Sequence, residues 1–193
     1  MMFVGKTLVG IAVGLTGWIF AVVTCLLPMW RVTVFRRANH ITSPTFWEGI
    51  WMSCVVQSTG KRQCKVYDSI LALPSDVEAA RTMTVVSIIT ALLALLISTV
   101  GAKSPTCIRD EVTNRRAVFI SGVLFIIAGI LVLIPVSWTS NRIIQDIYMS
   151  GNYMYGNWST ELGPSLYTGF TASALLVAGG SFLCCICRPW TRR

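Results

Sequence analysis

The sequence predicts a mainly α-helical membrane protein, four spans gathered into a bundle, with a small β-structure carried outside the bilayer. Two observations carry this prediction. Only 12% of the 193 residues are charged, against about 25% in a soluble domain, and those charges fall in clusters. Residues 7–30, 82–102, 117–141 and 162–187 contain no Asp, Glu, Lys or Arg, giving gaps of 24, 21, 25 and 26 residues. A helix needs about 20 apolar residues to cross a hydrocarbon core about 30 Å thick, so each gap is a span. The second observation is that the longest segment between spans reads as strands and turns. The gaps sum to 96 residues and leave 97 for everything else, which excludes a soluble enzyme, a nucleic-acid-binding domain and a disordered tail.

Cut to bilayer length, the spans are 7–27, 81–101, 117–137 and 162–187. They leave a first external loop at 28–80, a cytoplasmic loop at 102–116, a second external loop at 138–161 and a short tail at 188–193, all within one domain. The first span is too long for a signal peptide, and no Ala-x-Ala-type site follows it. Small residues recur at helix-packing spacing: Gly10, Ala12, Gly14 and Gly17, then Gly122, Gly129 and Gly179-Gly180. Such spacing lets helix backbones approach closely, inside the bundle or, as the alternative, between subunits. No span has an ionisable residue at its centre, which argues against a transporter or proton relay.

Within the first loop, Trp30-Arg31-Val32-Thr33-Val34-Phe35 alternates like a strand leaving the membrane. Ile50 to Gln57 favours a strand, Ser58-Thr59-Gly60-Lys61 has turn composition, and Arg62 to Tyr67 resumes the strand. If the turn centres on Thr59, paired residues sum to about 118, which sets Cys54 opposite Cys64. A disulfide there is expected, with two free thiols as the alternative. Successive side chains alternate faces, so Met52, Cys54, Val56, Arg62, Cys64 and Val66 share one face. Ser53, Val55, Gln57, Lys61, Gln63 and Lys65 share the other, a polar face with two cations and, as expected here, no carboxylate. Ser75-Asp76-Val77-Glu78 reads as a capping box, so the second membrane helix is expected to begin outside the bilayer, with Arg81 near the interface. One short helical turn is expected between Tyr67 and Pro74.

Charge does not orient the chain. Sixteen Lys/Arg against eight Asp/Glu give +8, a surplus that belongs to the flanks of membrane spans rather than to nucleic acid. With both ends inside, the sixteen basic residues divide evenly between the two sides. The Cys54/Cys64 pair, suited to an oxidising compartment, and the Asn157-Trp158-Ser159 glycosylation pattern place both loops outside and both termini in the cytoplasm.

Trp30, Gly49-Ile50-Trp51, Cys54, Cys64 and Arg81 together resemble the signature of the claudins, tetraspan proteins of tight junctions, with Ile50 in place of the family's Leu. Trp47-Glu48, the stretch Gln63 to Pro74, Pro135-Val136-Ser137-Trp138 and Ile143-Ile144-Gln145-Asp146 are similar to the barrier-type claudins. The resemblance implies a left-handed four-helix bundle under a five-stranded antiparallel sheet drawn from both external loops, at the tight junction of the plasma membrane. It implies partnership with the same or other claudins, side by side in one membrane and head to head with the opposing one. It further implies an ion-selectivity role for Lys65, flanked on its face by Gln57 and Lys61, that disfavours cations. Lateral assembly would run through Ile70, docking beside Ile147, Tyr148 and Leu162 of a neighbour.

Two departures from the family bear on partners. The second loop lacks the Asn-Pro-Leu-type segment, so head-to-head partner choice and enterotoxin binding are not carried over. The sequence closes on Pro189-Trp190-Thr191-Arg192-Arg193 without the Tyr-Val ending that PDZ scaffolds capture. Cys184, Cys185 and Cys187 at the inner edge of the last span are candidates for palmitoylation, and membrane lipid is the other partner expected. His40 has no partner at catalytic or metal-ligand spacing, and Cys25 and Cys107 have none either. No enzyme, cofactor, metal or nucleic-acid role is expected. The functional expectation is a structural adhesion protein that polymerises into strands and forms a charge-selective paracellular barrier. The alternatives are a paracellular anion channel and a non-polymerising four-span adaptor or trafficking protein.

Overall fold

A computed structural model describes residues 2–37, 40–57, 60–67, 75–103, 111–152 and 158–187. In chain order it contains α1 (Met2–Leu26), β1 (Arg31–Arg37), β2 (His40–Glu48), β3 (Met52–Val56) and β4 (Arg62–Val66). There follow α2 (Ser75–Lys103), α3 (Glu111–Asn152), β5 (Trp158–Leu162) and α4 (Pro164–Cys187). All four helices are long and apolar enough to cross a membrane. Ile70, Cys107, Asn157 and the segment 188–193 lie outside the described residues.

In lipid there is no hydrophobic force between helices, so close fit and interhelical hydrogen bonds must hold the bundle together. The glycines do the first. A Cβ placed on Gly179 of α4 would stand 3.0 Å from the Gly14 nitrogen and 3.2 Å from the Gly10 carbonyl of α1. One on Gly122 of α3 would stand 2.8 Å from the Gly180 carbonyl of α4. These glycines therefore serve packing within one molecule, α4 against both α1 and α3. Hydroxyls and an indole do the second: Ser87 Oγ donates to the Ala128 carbonyl at 2.7 Å, joining α2 to α3. Thr24 and Thr168 share a hydrogen bond of 2.9 Å between α1 and α4, and Trp18 Nε1 donates to the Ile88 carbonyl at 3.2 Å between α1 and α2.

Outside the bundle lies one five-stranded antiparallel sheet in the order β4-β3-β2-β1-β5. Both external loops contribute to it, because β5 comes from the second and pairs with β1. The hairpin has the expected register, with Cys54 opposite Cys64 and Met52 opposite Val66, and the Cys54–Cys64 disulfide is formed. Closing a loop of 10 residues stabilises the fold by about 2.7 kcal/mol in the chain-entropy treatment. Gly60 takes φ 74° in the turn, a left-handed conformation that costs glycine nothing. The second helix begins at Ser75, where the capping-box pattern starts. The third does not stop where its apolar gap does; it runs on to Asn152 with Pro135 inside it. No Gly or Pro occurs between Trp138 and Ser150, so nothing local ends the helix there, and residues expected as loop are an extension of α3.

Candidate functional site

The signature residues form a clamp that seats the sheet on the membrane helices. Trp30 is 3% exposed; its indole donates to the Thr24 carbonyl at 2.9 Å, and its backbone N–H donates to the Glu48 carbonyl at 2.9 Å. Gly49 packs against the Pro28 backbone so tightly that a Cβ would overlap it, and its N–H donates to the Met52 carbonyl at 3.0 Å, closing the β2–β3 turn. Ile50, the residue at the centre of that turn, offers its carbonyl to Arg81 of α2. The guanidinium reaches it through Nε at 3.1 Å and Nη2 at 2.7 Å, and stacks 4.5 Å over the Trp51 ring. Trp51 Nε1 in turn points to Cys25 Sγ at 3.4 Å. One charged side chain thus ties the turn to a membrane helix while two indoles fill the space beneath.

Above the clamp, cross-strand pairing makes a row of side chains on one face: Leu162, Arg31, Glu48, Ser53 and Lys65. Gln57 and Lys61 lie on the same face at the hairpin end, and Gln57 N–H donates to the Lys61 carbonyl at 3.2 Å. Gln57, Lys61 and Lys65 are all exposed. The row corrects the expectation of a face without a carboxylate. Glu48 stands on it two strands from Lys65, about 10 Å away at ordinary strand spacing. The hairpin alone could not reveal this, since Glu48 comes from β2. Arg31 is paired with Asp146 on the extension of α3. Arg62 belongs to the opposite, disulfide-bearing face, 4.8 Å over the Trp47 ring.

Where the row meets the helix ends, Arg31, Glu48, Tyr67, Asp76, Trp138 and Arg142 help line a cleft of about 450 Å³. Arg142 and Asp76 approach at 3.4 Å across it. The Tyr67 phenol is held above its usual pKa, first by burial and then by the Glu48 carboxylate, against opposing help from Ser53 and Arg81. Among the described residues no cluster of His, Cys, Asp and Glu is arranged to hold a metal ion.

Ile147 and Tyr148 project from the α3 extension, 41% and 75% exposed, with Met149 beside them at 67%. Leu162, half-buried, packs against the cluster containing Trp30 and Ile143. The inner-edge cysteines differ in access. Cys184 contacts the Phe119 carbonyl at 3.8 Å, Cys187 is buried, and Cys185 is exposed.

Four helices long and apolar enough to span a membrane, a disulfide-bonded antiparallel sheet and a Trp/Gly-x-Trp/Arg clamp between them define a tetraspan membrane protein with its sheet anchored to the helix bundle. The sequence model of the PMP-22/EMP/MP20/Claudin family matches residues 4–183, and the chain belongs to that family. It is 51% identical to Claudin-4 of Canis lupus familiaris over 189 residues, covering 98% of this chain and 89% of that protein. Human Claudin-3 is 47% identical over 188 residues, 97% of this chain and 84% of its own length. Human Claudin-6 is likewise 47% identical over 187 residues, with the same coverage.

Proposed function

We propose that this chain is a structural adhesion protein of tight junctions, polymerising with itself or other claudins into strands that form a paracellular barrier against cations. The observation that carries the selectivity is the exposed face on which Gln57, Lys61 and Lys65 stand together at the hairpin end. A cation approaching that face meets two like charges before it reaches Glu48. The orientation follows from the disulfide, which requires an oxidising compartment. The sheet is then extracellular, and with four spans both termini are cytoplasmic. Lateral contacts run through the exposed Ile147, Tyr148 and Met149 of the α3 extension. They stand beyond the charge-free gap, toward the end of α3. Cys185 is the inner-edge thiol open to palmitoylation.

The same cation face would also suit a paracellular anion channel, and conductance separates the two. Expressed in an epithelial monolayer without endogenous strands, the chain is expected to raise transepithelial resistance with Cl⁻ favoured over Na⁺ in dilution potentials. Lys65→Asp is expected to reverse that preference. A fall in resistance with Cl⁻ selectivity would establish the channel. Unchanged resistance and no strands, despite surface delivery, would refute both and leave the adaptor.

A further inference from the structure

We infer that the outer ends of α2 and α3 form a binding site for a zwitterionic phospholipid, phosphocholine-headed and drawn from the outer leaflet. The two helices are antiparallel neighbours, so their stripes face each other level by level. On α2, Asp76, Ala79, Ala80 and Met83 recur at i, i+3, i+4 and i+7. On α3, Arg142, Trp138 and Ile134 descend in steps of four. Asp76 thus lies level with Arg142, and Met83 with Ile134 and Pro135.

Between the lower halves of these stripes is a crevice of about 100 Å³, lined by Ala79, Ala80, Met83, Ile134, Pro135 and Trp138, with Asp76 and Thr139 at its upper rim. Its lower walls, Met83, Ile134 and Pro135, are apolar residues of the spans, so an acyl chain suits it. The small side chains at 79 and 80 leave the opening. Its upper end shares Asp76, Ala80, Trp138 and Thr139 with the larger cleft that Arg142 helps line. Trp138, 55% exposed, marks the junction, where an indole normally sits at headgroup level.

The head of the ligand follows from charge. Arg142 lies one helical turn, about 6 Å, beyond Trp138, and Asp76 faces it at 3.4 Å. Both side chains are half exposed, 58% and 44%, and an ion pair so wetted is weak, so it opens readily. Opened, it offers a guanidinium fork, held 5.8 Å over the Trp138 ring, to a phosphate, and a carboxylate to a quaternary ammonium. One charge of each sign favours a head with both signs over a purely anionic one. The inference takes its leaflet from the proposed orientation. Binding in micelles has no inside or outside, so site and orientation can fail separately.

The test uses the full chain purified in detergent micelles, with retained lipid counted by native mass spectrometry. The probes are dioleoylphosphatidylcholine, dioleoylphosphatidylglycerol and dioleoylglycerol. The expected result is one phosphatidylcholine retained in preference to the other two. Arg142→Gln and Ala79→Leu should each weaken retention at least about tenfold, the loss of one charge-assisted contact or of the tail's seat. Ala174→Leu, on an exposed position of α4, should leave it unchanged. Each variant is first checked for the Cys54–Cys64 bond and for helical content. Equal retention of dioleoylglycerol, or wild-type retention by both site variants, would overturn the inference. So would a second copy seated there, detected as Ala79→Cys disulfide dimers that form unhindered by added phosphatidylcholine.

Discussion

Replacing Arg81 tests the clamp. Arg81→Gln removes the charge that stacks 4.5 Å over Trp51 and at least one of two hydrogen bonds, at 3.1 and 2.7 Å, to the Ile50 carbonyl. Ile50 is 3% exposed, so its carbonyl has little water to turn to. A hydrogen bond to a charged group contributes about 1.5–3 kcal/mol and a half-buried cation–π contact about 0.5–1 kcal/mol, so local stability should fall by roughly 2–4 kcal/mol. Because the contacts join the β2–β3 turn to α2, the loss should appear as local opening rather than global unfolding. Hydrogen–deuterium exchange in nanodiscs measures it directly. The Trp30, Gly49 and Tyr67 amides, bonded to the Glu48, Met52 and Trp51 carbonyls, should exchange about 30- to 1,000-fold faster, at 1.4 kcal/mol per decade. The buried middle of α2 should be unaffected. Arg81→Lys, which keeps the charge but loses the fork, should fall between. Wild-type protection of those three amides in Arg81→Gln would mean that the sheet is held in place by something other than this side chain.

Glu48→Gln removes a charge about 10 Å from Lys65, worth roughly 0.4 kcal/mol across water. Dilution potentials should therefore move about twofold toward Cl⁻ at low salt and less at 0.15 M; a shift toward Na⁺ would refute the shared face. Gly122→Leu would drive a side chain into the Gly180 carbonyl, 2.8 Å from a Cβ, and overpacking costs about 1–3 kcal/mol. Its thermal midpoint in micelles should fall, while Gly5→Leu, with nothing within 4 Å of its Cβ, should match wild type. The raised pKa of Tyr67 means the fold's gain from the neutral phenol is full below about pH 10 and is lost as pH rises through Tyr67's own higher value. Absorbance at 295 nm should show a late-ionising tyrosine that Tyr67→Phe abolishes.

The hairpin register was legible because a two-stranded unit needs only its turn centre and the strand period of two. The Trp30–Gly49–Trp51–Arg81 pattern was legible as a motif, but not as a clamp. A contact between residues 50 and 81 depends on how α2 stands against the sheet, which no local pattern encodes. Glu48 was missed although a signal existed. Continuing the pairing logic across the Gly49–Ile50–Trp51 turn makes partners sum to 101, which sets Glu48 opposite Ser53 and so beside Lys65. The α3 extension was also readable, since Trp138 to Ser150 holds no helix breaker. Its charges drew attention to the membrane boundary, and a boundary of solvent does not have to be a boundary of secondary structure.

The row of charges limits how the proposed selectivity can work. Lys61, Lys65 and Arg31 contribute three positive charges, Glu48 and the Asp146 paired with Arg31 two negative ones, so the face carries a net charge of only +1. So small a net charge makes position, rather than the total, decide what a cation meets. At physiological ionic strength a charge is felt over about 8 Å. An ion passing β4 is within reach of Lys65 and Lys61, while Glu48 at about 10 Å is largely screened. Selectivity then belongs to the edge strand, which explains why Lys65→Asp should reverse the preference where Glu48→Gln only tunes it. The Arg31–Asp146 pair has the complementary part, fixing β1 to the α3 extension and cancelling a cation at the base of the face. Asp146→Asn would uncover that cation, and on this reasoning should change selectivity little, because Arg31 lies a full strand farther from the edge than Glu48.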